Sequence, residues 1–541
     1  MALLEINDLA VSIDEMPILR SLSLTLRAGE ILGVAGESGS GKTMTALAIA
    51  GLLPDGAKLS GEIVLDGVRL SVASDEEYCN IRGRDIGVVF QEPMTALNPL
   101  MTIGKQVAET VRIHRKVTRS EARQLARDTL DKVGLPTSRF SLDRYPHSLS
   151  GGQRQRVAIA IAIAMKPKLL IADEPTTALD VTTQAEILEL FKQLVVEDNV
   201  GLILVTHDLA VIAKTADRAV VMKDGELVDQ GSITAVFRST TQPYTKKLLE
   251  NAVHVPARGT RGEIGDTPVL EVINVVREYQ GARQLFGRSE AIRAVDKVNL
   301  QIYSNENVGL VGESGCGKST LLRTILGLDR PDSGEVRVFG QQFPTPNTAD
   351  MRKLRRHIQV VFQDPYGTFD PRWRVDQLIA ENFHLLESPP AGKEARKKID
   401  EILARVGMKS SDADRFPHEF SGGQRQRIAI ARALITEPSI IALDEAVSAL
   451  DVSIRARILD LLAELSDRLG VSCLFVTHDL SVVRSVTDRV LIMKSGKIVE
   501  EGRTEDVFAK PTNPYTIELL RAAPDLNRIL SERVDDRVAL Q

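Results

Sequence analysis

Two stretches of this chain, GESGSGKT at Gly36–Thr43 and GESGCGKST at Gly312–Thr320, place glycines and one lysine at the spacing that wraps a backbone around phosphate. In such a loop the glycines, here Gly36, Gly39 and Gly41 in one copy and Gly312, Gly315 and Gly317 in the other, let successive N–H groups turn inward. A following helix adds its positive N-terminal end, and Lys42 or Lys318 reaches the outer phosphates. Thr43 and Ser319 would each place a hydroxyl on Mg²⁺, with Thr320 beside Ser319 in the second loop. Both loops follow apolar runs, ILGVA and VGLV, which are expected to be buried strands.

Carboxylates, amides and imidazoles complete two reacting constellations. The runs LLIAD and IIALD end in Asp173 and Asp444, suited to the Mg²⁺ shell. The next residues, Glu174 and Glu445, can accept a proton from an attacking water or polarise it. Gln91 and Gln363 can touch the ion or the water, or stand as plain loop amides. His207 and His478 each end an apolar run, and their repetition favours contact with a terminal phosphate over a purely structural place. Ser150-Gly151-Gly152-Gln153 and Ser421-Gly422-Gly423-Gln424 open helical patterns, where a serine cap and bare glycine amides make a second anion site. Each half therefore owns two phosphate-binding ends, although one nucleotide needs only one.

These residues sit in a chain of 541 residues, too long for a single core. Its apolar content of 43% and charged content of 26% are ordinary for a globular protein. A net charge of −5 leaves no overall basic field for nucleic acid or an anionic membrane. MALLEINDLA has acids and no basic n-region, so no secretory signal is expected. The apolar run Val157–Met165 is closed by Arg156 and Lys166, far short of a span of about 20 residues. Cys79, Cys316 and Cys473 lie far apart without metal-ligand spacing, which suits a reducing cytoplasm.

The chain is written twice. Lys42 answers to Lys318 at an offset of 276 (318 − 42), Gln91 to Gln363 at 272 (363 − 91), and Ser150 to Ser421 at 271 (421 − 150). VTHDL at Val205 and at Val476, and QPYT at Gln242 with NPYT at Asn513, keep the last offset. A period this long marks a duplicated domain and not a solenoid repeat. The expected division is a first domain over 1–251, a Gly-, Pro- and Arg-rich linker over 252–267 and a second domain over 268–541. Short β-like runs (ILGVAG, IGVVFQ, LLIAD, GLILVTH, AVVMKDGELVDQG) alternate with helical patterns, so each copy reads as an α/β core. Mainly helical stretches at about Met101–Arg139 and Arg374–Arg415 would form a smaller lobe on each. Arg112, Arg115, Arg119, Arg123 and Arg127 suggest one basic helical face, but TRSE at Thr118 is a capping box that starts a new helix and breaks the stripe.

Taken together, the motifs resemble the ATP-binding cassette ATPases, in the order phosphate loop, glutamine loop, LSGGQ signature, Asp-Glu strand, D-loop (Ala178-Leu179-Asp180; Ala449-Leu450-Asp451) and switch histidine. The resemblance covers nearly the whole chain and implies two tandem P-loop NTPase domains, each an α/β core with a helical subdomain, that hydrolyse ATP with Mg²⁺. In that family two cassettes dimerise head to tail. The resemblance thus implies one site from Lys42, Thr43, Gln91, Asp173, Glu174 and His207 facing Ser421, Gly423 and Gln424. The other would join Lys318, Ser319, Gln363, Asp444, Glu445 and His478 to Ser150, Gly152 and Gln153. FQEPMTALNP, FQDPYGTFDPR, DEPTTALDV, the Gly281–Val298 insertion and the closing QPYTKKLL and NPYTIELLRAAPD look like the oligopeptide, dipeptide and nickel importer branch, including its glutathione and microcin-type peptide members. That branch implies two integral-membrane permease subunits, an extracytoplasmic solute-binding protein, no nucleic acid, and a peripheral place on the cytoplasmic face of the cell membrane. A soluble twin-cassette ATPase acting on ribosome or nucleic acid is the competing class. It tends to carry a long charged arm or zinc-binding cysteines, and this chain has neither.

The pattern departs from the family at the adenine. Tyr279 fits the aromatic that stacks on the base in the second copy, whereas Ile13 takes the aligned place in the first, and Met1–Ala35 holds no Phe, Tyr or Trp. Stacking is worth roughly 1–3 kcal/mol per base, so weaker nucleotide binding is expected in the first copy. Phe420 for Leu and Ala446 for Pro are mild departures.

Overall fold

The computed structural model describes residues 2–91, 96–177, 179–259, 262–279, 291–345, 348–448 and 450–539. Ala178 and Ala449 of the D-loops, 92–95 of the first glutamine loop, 260–261 of the linker and most of the Gly281–Val298 insertion lie outside them. The chain packs as two compact units: Met1–Val253 with Asp451–Ser453 and Pro524–Gln541, and His254–Leu450 with Ile454–Ala523.

In the first unit a six-stranded sheet runs in the order Glu226–Ser232, Arg218–Lys223, Ile31–Ala35, Gly201–Val205, Leu169–Asp173, Ile86–Val89. All neighbours are parallel except the first pair. ILGVA, LLIAD and GLILV are buried along their whole length. Their side chains go alternately to two apolar clusters, Leu170 and Ala172 to one, Leu169 and Ile171 to the other. A strand covered on both faces has no polar side to show, so it reads as an unbroken apolar run. Beside it lies an antiparallel sheet, in the order Met16–Leu26, Leu4–Ile13, Ala57–Leu65, Val68–Arg69. There the alternation is clean: Leu22, Leu24 and Leu26 are buried while Ser21, Ser23 and Thr25 are exposed.

The run AVVMKDGELVDQG is two strands. Asp224 (φ 49°) and Gly225 (φ 81°) form a tight turn between Arg218–Lys223 and Glu226–Ser232. Positive φ at both central residues is the Asp-Gly hairpin geometry, a signal stronger than the apolar run around it.

The helical stretch resolves into Ile103–His114 and Arg119–Lys132. Thr118 Oγ1 accepts from the Glu121 N–H at 3.2 Å, and Glu121 Oε2 accepts from the Thr118 N–H at 2.7 Å. This reciprocal cap starts the second helix and divides the arginine stripe.

The second unit repeats the plan. Its six-stranded sheet is ordered Ile358–Val361, Ile440–Asp444, Ser472–Thr477, Asn307–Val311, Arg489–Lys494, Lys497–Arg503. Pro268–Tyr279, Ile292–Tyr303, Ser333–Val338 and Gln341–Phe343 supply the antiparallel sheet. Val375–Ala380 and Gly392–Arg405 lie in the helical stretch. Two linker residues are tied to this unit: His254 Nε2 lies 2.6 Å from Asp460 Oδ1, and Arg258 Nη1 2.5 Å from Asp488 Oδ1.

Candidate functional site

Parallel neighbours leave the sheet at the same end, and that end gathers the chemistry. Asp173 pairs with Val205, two residues before His207, while Ile31–Ala35 on the other side of that strand runs into Gly36. Asp444, Val476 and Asn307–Val311 stand in the same relation in the second unit. The carboxyl edge of an open α/β sheet is the usual place for a ligand.

Helices Lys42–Ala50 and Lys318–Ile325 start from Gly41 (φ 98°) and Gly317 (φ 111°). A Cβ on Gly317 would lie 2.1 Å from the Ala294 carbonyl oxygen, so the lysine-bearing turn closes only around a glycine. Lys42 Nζ donates to the carbonyls of Gly36 (2.8 Å) and Glu37 (2.9 Å), and Lys318 Nζ to those of Gly312 (2.6 Å) and Glu313 (2.9 Å). Burial holds the Lys42 ammonium below its ordinary pKa, against the opposing charge of Glu174.

Burial pushes the Asp173 carboxyl up, against a hydrogen bond from Thr43, and its Oδ1 is buried with no hydrogen-bond partner among the described residues. Asp444 is pushed up to about 6 by burial and by the neighbouring Glu445 charge. A half-satisfied carboxylate beside a P-loop hydroxyl is a good seat for a cation, so Asp173 with Thr43 fits Mg²⁺. Ser319 is exposed and its position beside Lys318 matches that of Thr43.

Glu174 and Glu445 both take φ 47°, a left-handed conformation uncommon for a residue with a side chain. Their N–H groups donate to Val205 O and Val476 O, each at 2.8 Å, which holds the turn. His207 Nδ1 lies 3.0 Å from Glu174 Oε1, and His478 Nδ1 3.0 Å from Glu445 Oε1. Burial opposes a charged imidazole at both places, but the hydrogen bond and charge of the glutamate outweigh it and raise both histidines. Both glutamates are held low in turn, their histidines overcoming burial. Gln91 Nε2 donates to Glu174 Oε2 at 3.0 Å, whereas no hydrogen bond joins Gln363 to Glu445 among the described residues.

Ser150 and Ser421 are N-caps of the helices Gly151–Ile163 and Gly422–Leu434. Each is locked to its own glutamine: the Ser150 N–H donates to Gln153 Oε1 at 3.1 Å and the Ser421 N–H to Gln424 Oε1 at 3.0 Å. Gly152 and Gly423 are packing glycines. A Cβ there would meet Thr183 Cγ2 at 2.3 Å or Ile454 Cγ2 at 2.4 Å. In neither unit does a hydrogen bond connect the capping serine or its glutamine to that unit's own phosphate loop among the described residues.

Tyr279 is 39% exposed at the end of its strand, with the Arg277 guanidinium 5.0 Å over the ring. Ile13 ends the matching strand, half-buried, before a two-residue turn at Asp14 (φ 47°) and Glu15 (φ 68°).

Three pairs escaped the sequence reading. Thr177 Oγ1 donates to Glu174 Oε2 at 2.9 Å, and Ser448 Oγ to the Glu445 carbonyl at 2.9 Å. Gln155 and Gln426, each 1% exposed, hold a buried Nε2 without a hydrogen-bond partner among the described residues. Tyr244 and Tyr515 reach the phosphate loops. All three repeat at the offset of the SGGQ pair, which was the signal available for finding them.

The ABC transporter family model matches residues 19–177 and 295–448, and that of the oligopeptide/dipeptide transporter C-terminal region matches 499–538. The glutathione import ATP-binding protein GsiA of Salmonella choleraesuis (strain SC-B67) is 43% identical over 545 aligned positions, 94% of this chain and 87% of that protein. GsiA of Escherichia coli O157:H7 is 43% identical over 93% of this chain and 86% of its own length. With two matched cassettes and relatives of this similarity along nearly its whole length, the chain belongs to the ABC transporter family, as an ATP-binding protein and ATPase with an oligopeptide/dipeptide-type C-terminal region.

Proposed function

We propose that this ATPase energises import of a small solute, most plainly a peptide, with two ATP sites that each need both halves of the chain. The single observation carrying the two-site reading is the surplus of anion-binding helix ends. Each unit has a phosphate loop with its full set of reacting groups and, unconnected to it, a serine-capped glycine turn. Facing the halves head to tail gives each turn a nucleotide. The first half (1–251) and second half (268–541), joined by 252–267, would then clamp ATP between Lys42 and Ser421, Gly423, Gln424, and between Lys318 and Ser150, Gly152, Gln153.

In each site the lysine would leave its loop carbonyls for the outer phosphates. Thr43 with Asp173, and Ser319 with Asp444, would hold Mg²⁺, assisted by Gln91 and Gln363; the ion supplies neutralisation of the developing phosphate charge. Glu174 and Glu445, fixed by backbone and histidine together, orient the attacking water and polarise its proton. His207 and His478 keep that carboxylate in place and offer a second N–H towards the terminal phosphate.

Import as the process and peptides as the cargo class rest on the matched C-terminal region and on relatives named for glutathione import. No helix among the described residues is long and apolar enough to cross a membrane. The proposed partners are therefore two permease subunits, with an extracytoplasmic solute-binding protein delivering cargo and this chain docked on the cytoplasmic face. Replacing Ser421 by Trp in a Glu445→Gln background tests the two-site reading. Hydrolysis in the Lys42 pocket should fall at least a hundredfold, and unchanged turnover rejects the shared site. Cell fractionation tests the process: a salt-resistant membrane pool should vanish when the permease genes are deleted.

A further inference from the structure

The PYT motifs have no part in the chemistry above, although both copies carry one. Each opens a helix with Pro at the first position, Pro243–Ala252 and Pro514–Ala522. The following tyrosine does more than pack. The Glu37 N–H donates to Tyr244 Oη at 3.4 Å, and the Glu313 N–H to Tyr515 Oη at 3.1 Å. Tyr244 Oη also lies 3.4 Å from Glu37 Oε2. Glu37 and Glu313 are the second residues of the two phosphate loops. A lysine lies over each ring, Lys223 Nζ at 5.2 Å and Lys494 Nζ at 4.2 Å from the centroid. Both lysines end the strand next to the phosphate-loop strand.

We propose that Tyr244 and Tyr515 are positioning residues for the two phosphate loops, each holding the loop's entry peptide from the C-terminal side of its own unit. Such a loop is intrinsically soft. Gly36, Gly39 and Gly41 all take positive φ in the first loop, so its curvature has little intrinsic preference. The lysine pins it by bonding the carbonyls of Gly36 and Glu37, one on either side of the Glu37 residue. Binding phosphate draws that ammonium away and frees both carbonyls. The tyrosine bond is on the N–H of the same residue and does not compete with phosphate, so it persists when the lysine turns. It therefore lowers the conformational cost of nucleotide binding at the step where the lysine's own restraint is given up. Tyr515 is 4% exposed and its bond is within the ordinary range, while that of Tyr244 is long, so the second loop is held more firmly. Burial raises the Tyr244 phenol to about 12, which keeps its hydroxyl protonated at any physiological pH.

The inference rests on the reading of Gly36–Thr43 and Gly312–Thr320 as ATP phosphate loops. The test uses the full chain with Tyr244→Phe, Tyr515→Phe, the double variant and Lys42→Ala/Lys318→Ala. Phenylalanine keeps the ring and its packing and removes only the hydroxyl. Equilibrium titration with trinitrophenyl-ATP, steady-state hydrolysis and thermal unfolding are read together. The double variant should bind ATP about three- to tenfold more weakly and raise KM to match, with kcat within twofold and Tm within a few degrees of the parent. Tyr515→Phe should account for most of the change. Affinity and KM within 1.5-fold of the parent, or a fall in kcat with KM unchanged, overturns the proposal. Binding that survives Lys42→Ala/Lys318→Ala at parental strength instead rejects the phosphate-loop reading itself.

Discussion

Nδ1 of His207 lies 3.0 Å from Oε1 of Glu174, and the strand that delivers this histidine also fixes the glutamate's backbone through Val205 O. His478 and Val476 do the same for Glu445. One strand end thus sets both the φ of the glutamate and the direction of its carboxylate. The left-handed conformation is costly for a residue with a Cβ, and it is held by a main-chain bond from the neighbouring strand. A carboxylate constrained at both ends can point a water without first losing rotamer freedom.

The sign of the electrostatics in this pair is testable. Burial alone would lower the His207 pKa; Glu174 is the largest of the groups that raise it, with the charges of Asp208 and Asp451 behind it, so in Glu174→Gln the value should fall from its raised position. The raised histidine contributes stability that is full below 6.5 and is lost as pH climbs through its folded value. The lowered glutamate contributes above its ordinary 4.5. The Tm difference between parent and variant should therefore be largest between pH 4.5 and 6.5 and shrink on the alkaline side. Titration of ¹³C-labelled histidines gives the pKa directly, and an unmoved His207 would contradict the account.

The capping box at Thr118 predicts a purely local effect. Thr118→Ala removes the acceptor for the Glu121 N–H and the hydroxyl that donates to Glu121 Oε2 at 2.8 Å, leaving only the main-chain N–H at 118 to hold that carboxylate. It should cost about 1 kcal/mol, seen as a Tm lower by roughly 2–4 °C. ATP hydrolysis at saturation should not change, because the helix Arg119–Lys132 contributes none of the reacting groups.

Much of this architecture was legible in the sequence because the relevant signals are local. Gly-rich loops, strand-end acids and Ser-x-x-Gln caps each declare themselves within a few residues, and the duplication let every motif be checked against a second copy. Hairpins were less visible: AVVMKDGELVDQG reads as one run unless Asp224-Gly225 is given its turn chemistry. The left-handed glutamates and the tyrosine bonds could not be read from spacing. They depend on which strand lies next to which, and Tyr244 is 207 residues from Glu37.

The adenine side should distinguish the two sites. Tyr279 presents a ring with 39% of its surface open, whereas Ile13 offers a half-buried aliphatic side chain at the matching strand end. With hydrolysis blocked by Glu174→Gln and Glu445→Gln, calorimetric titration should resolve a tighter and a weaker ATP site. Tyr279→Ala should weaken the tighter one by roughly 1–3 kcal/mol, and Ile13→Tyr should strengthen the weaker one. Equal affinities in the starting protein would remove the stacking argument.

The paired glycines of the signature turn have different jobs, and substitution can separate them. A Cβ at Gly423 would stand 2.4 Å from Ile454 Cγ2, while a Cβ at Gly422 would meet nothing within 4 Å. Gly423→Ala should therefore destabilise by about 1–3 kcal/mol through overpacking. Ile454→Ala added to it should give back part of that loss, a non-additive result expected only of touching residues. Gly422→Ala sits at the first turn of a helix and should leave Tm unchanged or slightly raised, since alanine is the better helix former. If Gly422→Ala nonetheless slows ATP hydrolysis at unchanged Tm, the added methyl acts on the reaction and not on packing. Denaturant unfolding of the three variants beside their ATPase rates separates packing from phosphate contact, and a Gly423→Ala protein as stable as its parent would show that the helix can shift to make room.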